Sequence, residues 1–192
     1  MKKLLALLLV VATLFCVAAC GGNEDSGKTT TTTTAPTTTV PADTKPDPKD
    51  EANWDKVVND VFTAKNGGLQ MAAEGWKTYA QMPTISMVPV EYTGTGYTNA
   101  VCVAVYEPDS ADVFAAKTKE DFETVLQVGL DTFEPTTVCG YTAYKAVATN
   151  VYYVWVVNTP NAKYFINFMQ APDGAAMETI GAAMMETVEI FK

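Results

Sequence analysis

The apolar positions of this chain fall into three regimes. Residues 4–19 are an apolar run, with Thr13 its one polar residue, behind Lys2 and Lys3. Residues 23–50 carry no aromatic side chain and a single β-branched aliphatic, Val40. From about 52 onward apolar residues recur with the periods of secondary structure. Trp54, Val57, Val58, Val61 and Phe62 follow helical spacing and predict a short helix over 53–61. Asn66-Gly67-Gly68 predicts a turn between strands at 62–65 and 69–72, which overlaps the helix at 61 and 62. Gly75-Trp76 opens an irregular stretch containing Pro83 and Pro89, and 85–92 reads as a strand.

The stretch 97–107, "YTNAVCVAVYE", is apolar at Val101, Val103 and Val105 and also at Ala100, Cys102 and Ala104. A strand with two apolar faces is expected to be covered on both sides. Thr118 followed by Asp121 predicts a capping box, and Phe122, Val125, Leu126 and Phe133 a helical stripe behind it. Three apolar runs follow, at 137–149, 151–158 and 162–170, separated by Asn150 and by Thr159-Pro160-Asn161. Such short separations predict an antiparallel meander. From Asp173 the pattern turns helical, with Met177, Ile180, Met184 and Val188 on one face as a core-packing stripe. The fold class expected is α/β, a mainly antiparallel sheet flanked by helices.

The first regime is an address. Its 16 residues are short for a membrane span, which needs about 20. A basic start, a short apolar middle and small residues before a cut describe a secretory signal peptide over 1–19. Val17-Ala18-Ala19-Cys20 has the form of a bacterial lipobox, so Cys20 is the expected lipid attachment site, and Cys16 leaves with the signal. The competing reading is an ordinary signal cut at Ala19. Two acyl chains on Cys20 anchor stably, since each buried methylene contributes about 0.8 kcal/mol. The second regime, 20–51, is then a Thr/Pro-rich tether. It has too little apolar surface to offset the entropy of ordering. Residues 23–50 span about 90–100 Å at about 3.3–3.6 Å per residue. A spacer and an O-glycosylated stalk share this composition. Residues 52–192 are expected to form a single domain.

Composition narrows the chemistry. All 13 basic residues are Lys, there is no His, and Ser occurs at 26, 86 and 110 alone. Removing Lys2 and Lys3 leaves 11 lysines against 22 acids, a net charge of −11. No His means no usual general base, no usual zinc ligand and no Ser-His or Cys-His pair. No Arg means no bidentate clamp on phosphate. The acidic balance argues against nucleic acid as a partner. Gly94-Thr95-Gly96 reads as a turn and not as a phosphate cradle. No cofactor is called for.

Three groups remain as candidates. Cys102 and Cys139 are either a disulfide, permitted outside the cytoplasm, or two small hydrophobic side chains. Glu107, Asp109 and Asp112 are the only tight carboxylate group near a strand end. They read as a low-affinity calcium site or as solvated acids beside a helix cap, and the absence of a glycine-centred loop closed by Glu favours the cap. Tyr141, Tyr144, Tyr152, Tyr153 and Tyr164 line either a ligand groove or half-buried sheet faces.

The pieces "AAEGW" (72–76), "NAVCVAVYE" (99–107) and "GYTAYKAVATNVYYVWVVNTPNAKYFINF" (140–168), with the helix between them and a closing helix before Phe191, resemble the PsbP-like family over 61–191. The resemblance implies a central antiparallel sheet between helices. It also implies a role in binding or in assisting assembly, with the bacterial lipoproteins of that family as the nearest kind. The expected function is a non-catalytic binding or accessory module on the extracytoplasmic face of the bacterial cell membrane. Its partners would be the membrane, through Cys20, and an envelope protein or wall component. A small-molecule or ion-binding lipoprotein serving transport, and a carboxylate-only hydrolase of envelope glycans, are the alternatives. The composition break makes one direct prediction: limited proteolysis releases a stable fragment that starts between about 45 and 60. N-terminal sequencing of that fragment checks it.

Overall fold

Strand Lys163–Met169 lies at the centre of the molecule, hydrogen-bonded along its whole length on both sides. The computed structural model describes residues 45–82, 84–95, 98–110, 117–169 and 177–192. Among them are eleven strands and two α-helices. In chain order the strands are β1 Lys56–Val58, β2 Val61–Thr63, β3 Leu69–Ala72, β4 Trp76–Thr78, β5 Met87–Pro89, β6 Ala100–Tyr106, β7 Thr132–Val138, β8 Tyr141–Ala148, β9 Tyr152–Asn158, β10 Lys163–Met169 and β11 Glu189–Ile190. The helices are α1 Lys119–Leu126 and α2 Met177–Glu186.

The strands form two sheets, both antiparallel. The larger runs β4-β5-β6-β10-β9-β8-β7 and the smaller β1-β2-β3-β11. The expected meander is present as β8-β9-β10. Its turns follow from local chemistry. Asn150 takes φ 62° between β8 and β9. Between β9 and β10 the Thr159 hydroxyl accepts from the Ala162 amide at 3.0 Å and closes the loop.

Alternation along the strands sorts the core into two layers. Tyr153, Val157, Tyr164, Ile166 and Phe168 face β2, β3 and α2. Ala146, Ala148, Val154 and Val156 face Phe122 of α1. The sheet is therefore covered on both sides, as the doubly apolar β6 sequence requires. Cover thins toward the end of β6, where Ala104, Val105 and Tyr106 are half-exposed. The overall class is sheet-dominated α/β, with a second sheet that the sequence pattern did not reveal.

Several local expectations are corrected. The helix over 53–61 is absent. Residues 51–53 make one 3-10 turn, and β1 and β2 form a hairpin about Asn59 and Asp60. Both of these residues have positive φ, at 49° and 59°, the geometry of a tight hairpin turn. Helical spacing was here a by-product of two short strands back to back. The run 137–149 is also no single strand. Cys139 and Gly140, at φ 50° and 80°, turn the chain between β7 and β8, with Val138 opposite Tyr141. Phe133 is not on the helix but in β7, because Gln127 adopts φ 53° and ends α1. It still packs on Phe122, with centroids 5.0 Å apart. Strand 85–92 shrinks to β5, and β4 forms in the stretch read as irregular. Val188 follows α2 instead of belonging to it, and the start of that helix near Asp173 lies outside the described residues.

Other expectations agree with the structure. β2 and β3 flank the Asn66-Gly67-Gly68 turn, with Phe62 opposite Met71. The Thr118 hydroxyl accepts from the Asp121 amide, and the Asp121 carboxylate accepts from the Thr118 amide, each at 3.2 Å, completing the capping box. Residues 45–51, counted with the tether by the sequence reading, contact the domain: the buried Gln70 amide donates to the Pro46 carbonyl at 2.9 Å.

Helix α2 sits close to the large sheet because Gly181 has no side chain. A Cβ there would lie 2.5 Å from Tyr153 Cδ1 and 2.7 Å from Phe168 Cγ. Gly181→Ala is therefore expected to destabilise despite the helix preference for Ala of about 0.8–1 kcal/mol. Overpacking costs about 1–3 kcal/mol, so the net loss is up to about 2 kcal/mol. Gly129→Ala, where a Cβ meets nothing within 4 Å, is the control and should be neutral or slightly stabilising. Urea midpoints of the two variants decide the matter.

Candidate functional site

The sequence candidates do not converge on one site. Glu107 and Asp109 are exposed in the loop after β6, and Asp112 lies outside the described residues. The Ser110 amide donates to the Glu107 carbonyl at 3.0 Å, so this loop begins as a backbone turn. Among the described residues no three His, Cys, Asp or Glu side chains come together as a metal-ion group.

The structure does not bring Cys102 and Cys139 together, and both thiols are free. Cys102 is in β6, and β10 and β9 separate β6 from β8. Three strand spacings amount to about 14 Å, while a disulfide needs Cα atoms about 4.4–6.8 Å apart. Cys139 stands in the β7–β8 turn, where its thiol donates to the Val188 carbonyl at 3.1 Å.

The tyrosines divide between the two faces of the sheet, since successive residues of a strand point opposite ways. Tyr153 and Tyr164 are buried beneath α2 and the small sheet. Tyr144 and Tyr152 pack on the α1 side. The Tyr164 hydroxyl accepts from the Asn66 side-chain amide at 3.2 Å and touches the β2–β3 turn so closely that Gly68 has no room for a Cβ. These side chains are spent on packing, and a shared tyrosine groove is not formed by them.

Sequence reasoning missed three groupings, two of which come from register. On the α2 side, Glu134, Lys145 and Trp155 stand directly opposite one another across β7, β8 and β9. Lys145 donates to Glu134 at 3.1 Å, and this bond raises its pKa above the ordinary value, with Tyr153, Glu134 and Glu178 adding to the effect against burial. On the α1 side, Cys102 faces Asn167 across β6 and β10. Asn167 is 3% exposed, and its Oδ1 has no hydrogen-bond partner among the described residues. Burial, with the Asp55 charge second, pushes the Cys102 thiol up to about 12. The third grouping is an open depression of about 470 Å³ over α1, lined by Glu120, Glu123, Thr124, Gln127, Val128 and Gly129. Only a pairing register could have revealed the first two, and sequence alone does not supply it.

The direction of the pKa shifts describes what these groups can do. Acid–base and nucleophilic groups of enzymes are commonly tuned toward neutrality. Here Cys102 is driven away from thiolate and Lys145 away from free amine. Asp121 and Asp131 are lowered, by backbone amides of Lys117 and Thr149 first, and so stay ionised. Burial raises Tyr106, Tyr153 and Tyr164. Asp55 moves the other way, raised by burial against the opposing Lys65 charge. For Asp121 and Asp131 a folded pKa below the unfolded value gives stability that is present above pH 3.8 and lost as pH falls through the folded value. For Cys102 the sign reverses: its contribution is complete below pH 9 and fades between about 9 and 12.

No family model and no curated protein matches this chain. Among solved structures it is similar to the solution structure of cyanobacterial PsbP (CyanoP) from Synechocystis sp., with 12% identity and a TM-score of 0.46 over 68% of this chain and 91% of that one. It is also similar to a crystal structure from Bacteroides thetaiotaomicron, with 13% identity and a TM-score of 0.40 over 69% of this chain and 48% of that one. At these scores the likenesses bear on neither function nor mechanism.

The thiol environments give a direct prediction. In the folded protein at pH 8, iodoacetamide should label Cys139 quickly and leave Cys102 unlabelled until denaturant is added. Peptide mapping by mass spectrometry reads both sites, and equal labelling rates would contradict the half-buried, protonated Cys102.

Proposed function

We infer that this chain is a lipid-anchored lipoprotein of the extracytoplasmic membrane face, whose domain works as a non-catalytic binding or accessory module. The observation that carries the reading is Val17-Ala18-Ala19-Cys20 at the end of a 16-residue apolar run behind two lysines. The Thr/Pro-rich stretch after it supplies reach. The module half is supported by the electrostatics at three groups, the Cys102 thiol, the Lys145 amine and the Tyr164 phenol, each shifted toward its protonated form. Its partner is an envelope protein or wall component, met by an acidic surface carried on a rigid sheet.

Wild type and Cys20→Ala should be produced in a bacterial host and fractionated. The wild-type chain is expected in the membrane fraction, its mature form beginning at a diacylglyceryl-modified Cys20 by mass spectrometry. The variant is expected to lose that modification and its membrane partition as a mature lipoprotein. An unmodified Cys20 in the wild type, or identical partition of the two chains, refutes the reading.

A further inference from the structure

Both ends of the folded chain are fastened to one short strand, β3. At the C-terminal end Glu189 and Ile190 of β11 pair with Gln70 and Leu69, and the Phe191 amide donates to the Gly68 carbonyl at 2.9 Å. At the N-terminal end the same Gln70 uses its side chain, donating to the Pro46 carbonyl at 2.9 Å and to Thr63 Oγ1 at 3.0 Å. Pro46 is buried, and Lys45 beside it forms an ion pair with Glu189 of β11. The following residues are folded against the β2–β3 turn. The Trp54 indole donates to the Pro48 carbonyl at 2.9 Å, and the Asn53 side chain to the Asp47 carbonyl at 3.0 Å. Asp50 caps the 3-10 turn by accepting from the Ala52 amide at 2.9 Å. Gly67 is pressed beneath this arm: a Cβ there would lie 2.1 Å from the Pro48 carbonyl oxygen and 2.6 Å from the Trp54 indole nitrogen.

We propose that residues 45–54 form a latch that carries a pull on the N-terminal tail into β3 and β11 and keeps it off β1. The proposal rests on the tethered reading above, since only an anchored chain is loaded there. β1 needs such protection. It is an edge strand of three residues whose single partner within its sheet is β2, and its other side is held by one side-chain bond, from the Val57 amide to the Thr78 hydroxyl of β4 at 2.8 Å. A load entering directly at Asp55 would open its pairs with β2 one at a time. With the latch closed, the load enters ahead of β1. It is met by the Lys45–Glu189 pair on β11 and by the Gln70–Pro46 hydrogen bond on β3, two strands that pair with each other, with β2 on the far side of β3. The latch opens more readily than the core because most of its contacts are polar and near solvent, the signature of a unit with low local stability.

The test is mechanical and uses the full chain, held at its N-terminal residue and at Lys192 in an optical trap. Lys45→Ala with Trp54→Phe removes two latch contacts, and Gly67→Ala separately drives the arm off its seat. Both variants should begin to unfold at lower force than wild type. Their first extension should be about 40–50 Å, the length of 45–58 at about 3.3–3.6 Å per residue. In solution, amide exchange at Trp54 and Asp55 should rise about tenfold or more in both variants, while exchange at Val156 and Ile166 stays unchanged. Traces that superimpose on wild type overturn the latch. So does exchange that rises equally in β9 and β10, since the arm would then be part of the core. Neither measurement involves a membrane or a partner, so the latch stands or falls independently of the fractionation of Cys20→Ala.

Discussion

Everything else in this fold accommodates strand β10. Its seven residues pair with β6 on one side and β9 on the other, and both of its faces carry apolar side chains, joined on the α1 side by Lys163 and Asn167. Tyr164, Ile166 and Phe168 point one way, each at most 1% exposed, and Phe165 points the other. Burying a side chain of this size contributes about 1.5–3 kcal/mol, gross of ordering entropy. A single helix cannot cover both faces. The chain supplies α1 for one, and α2 together with the four-stranded sheet for the other. Gly181 lets α2 approach Tyr153 and Phe168, while Gly68 admits the Tyr164 hydroxyl to the β2–β3 turn. The closeness of those two contacts fixes where the covering elements sit.

Polar groups inside this arrangement mostly serve the backbone. The Ser86 hydroxyl accepts from the Val103 amide at 3.0 Å and continues the ladder where β5 ends. Thr187 Oγ1 accepts from the Ala72 amide and donates to the Met184 carbonyl, joining β3 to the end of α2. Gln70 ties the N-terminal arm, β2 and β11 into one unit. Each of these groups is a linker whose removal leaves a buried amide or carbonyl unpaired, at a cost of about 1–3 kcal/mol.

By itself the sequence determined the long elements. Doubly apolar 97–107 located β6, the Thr118–Asp121 box located α1, and the runs after Asn150 and after Pro160 located β9 and β10. These signals are local: residue period, a cap, a turn residue. The expectations of a lipobox and a tether likewise rest on a short motif and on local composition. What it left undecided was everything set by pairing. Two three-residue strands about Asn59 and Asp60 have the spacing of a helix, and only the partner across the turn distinguishes them. Cys139 followed by Gly140 breaks an apolar run with no proline, because a non-glycine residue accepts positive φ when the strands on either side find register. The same holds for the sites. Five tyrosines in one segment could be read as a groove or as half-buried sheet faces, and alternation sends them to opposite faces. Glu134, Lys145 and Trp155, far apart in sequence, became neighbours through register. Tertiary structure decided these points because a strand's face and partners are fixed by hydrogen bonds to distant residues, and sequence spacing does not carry that information.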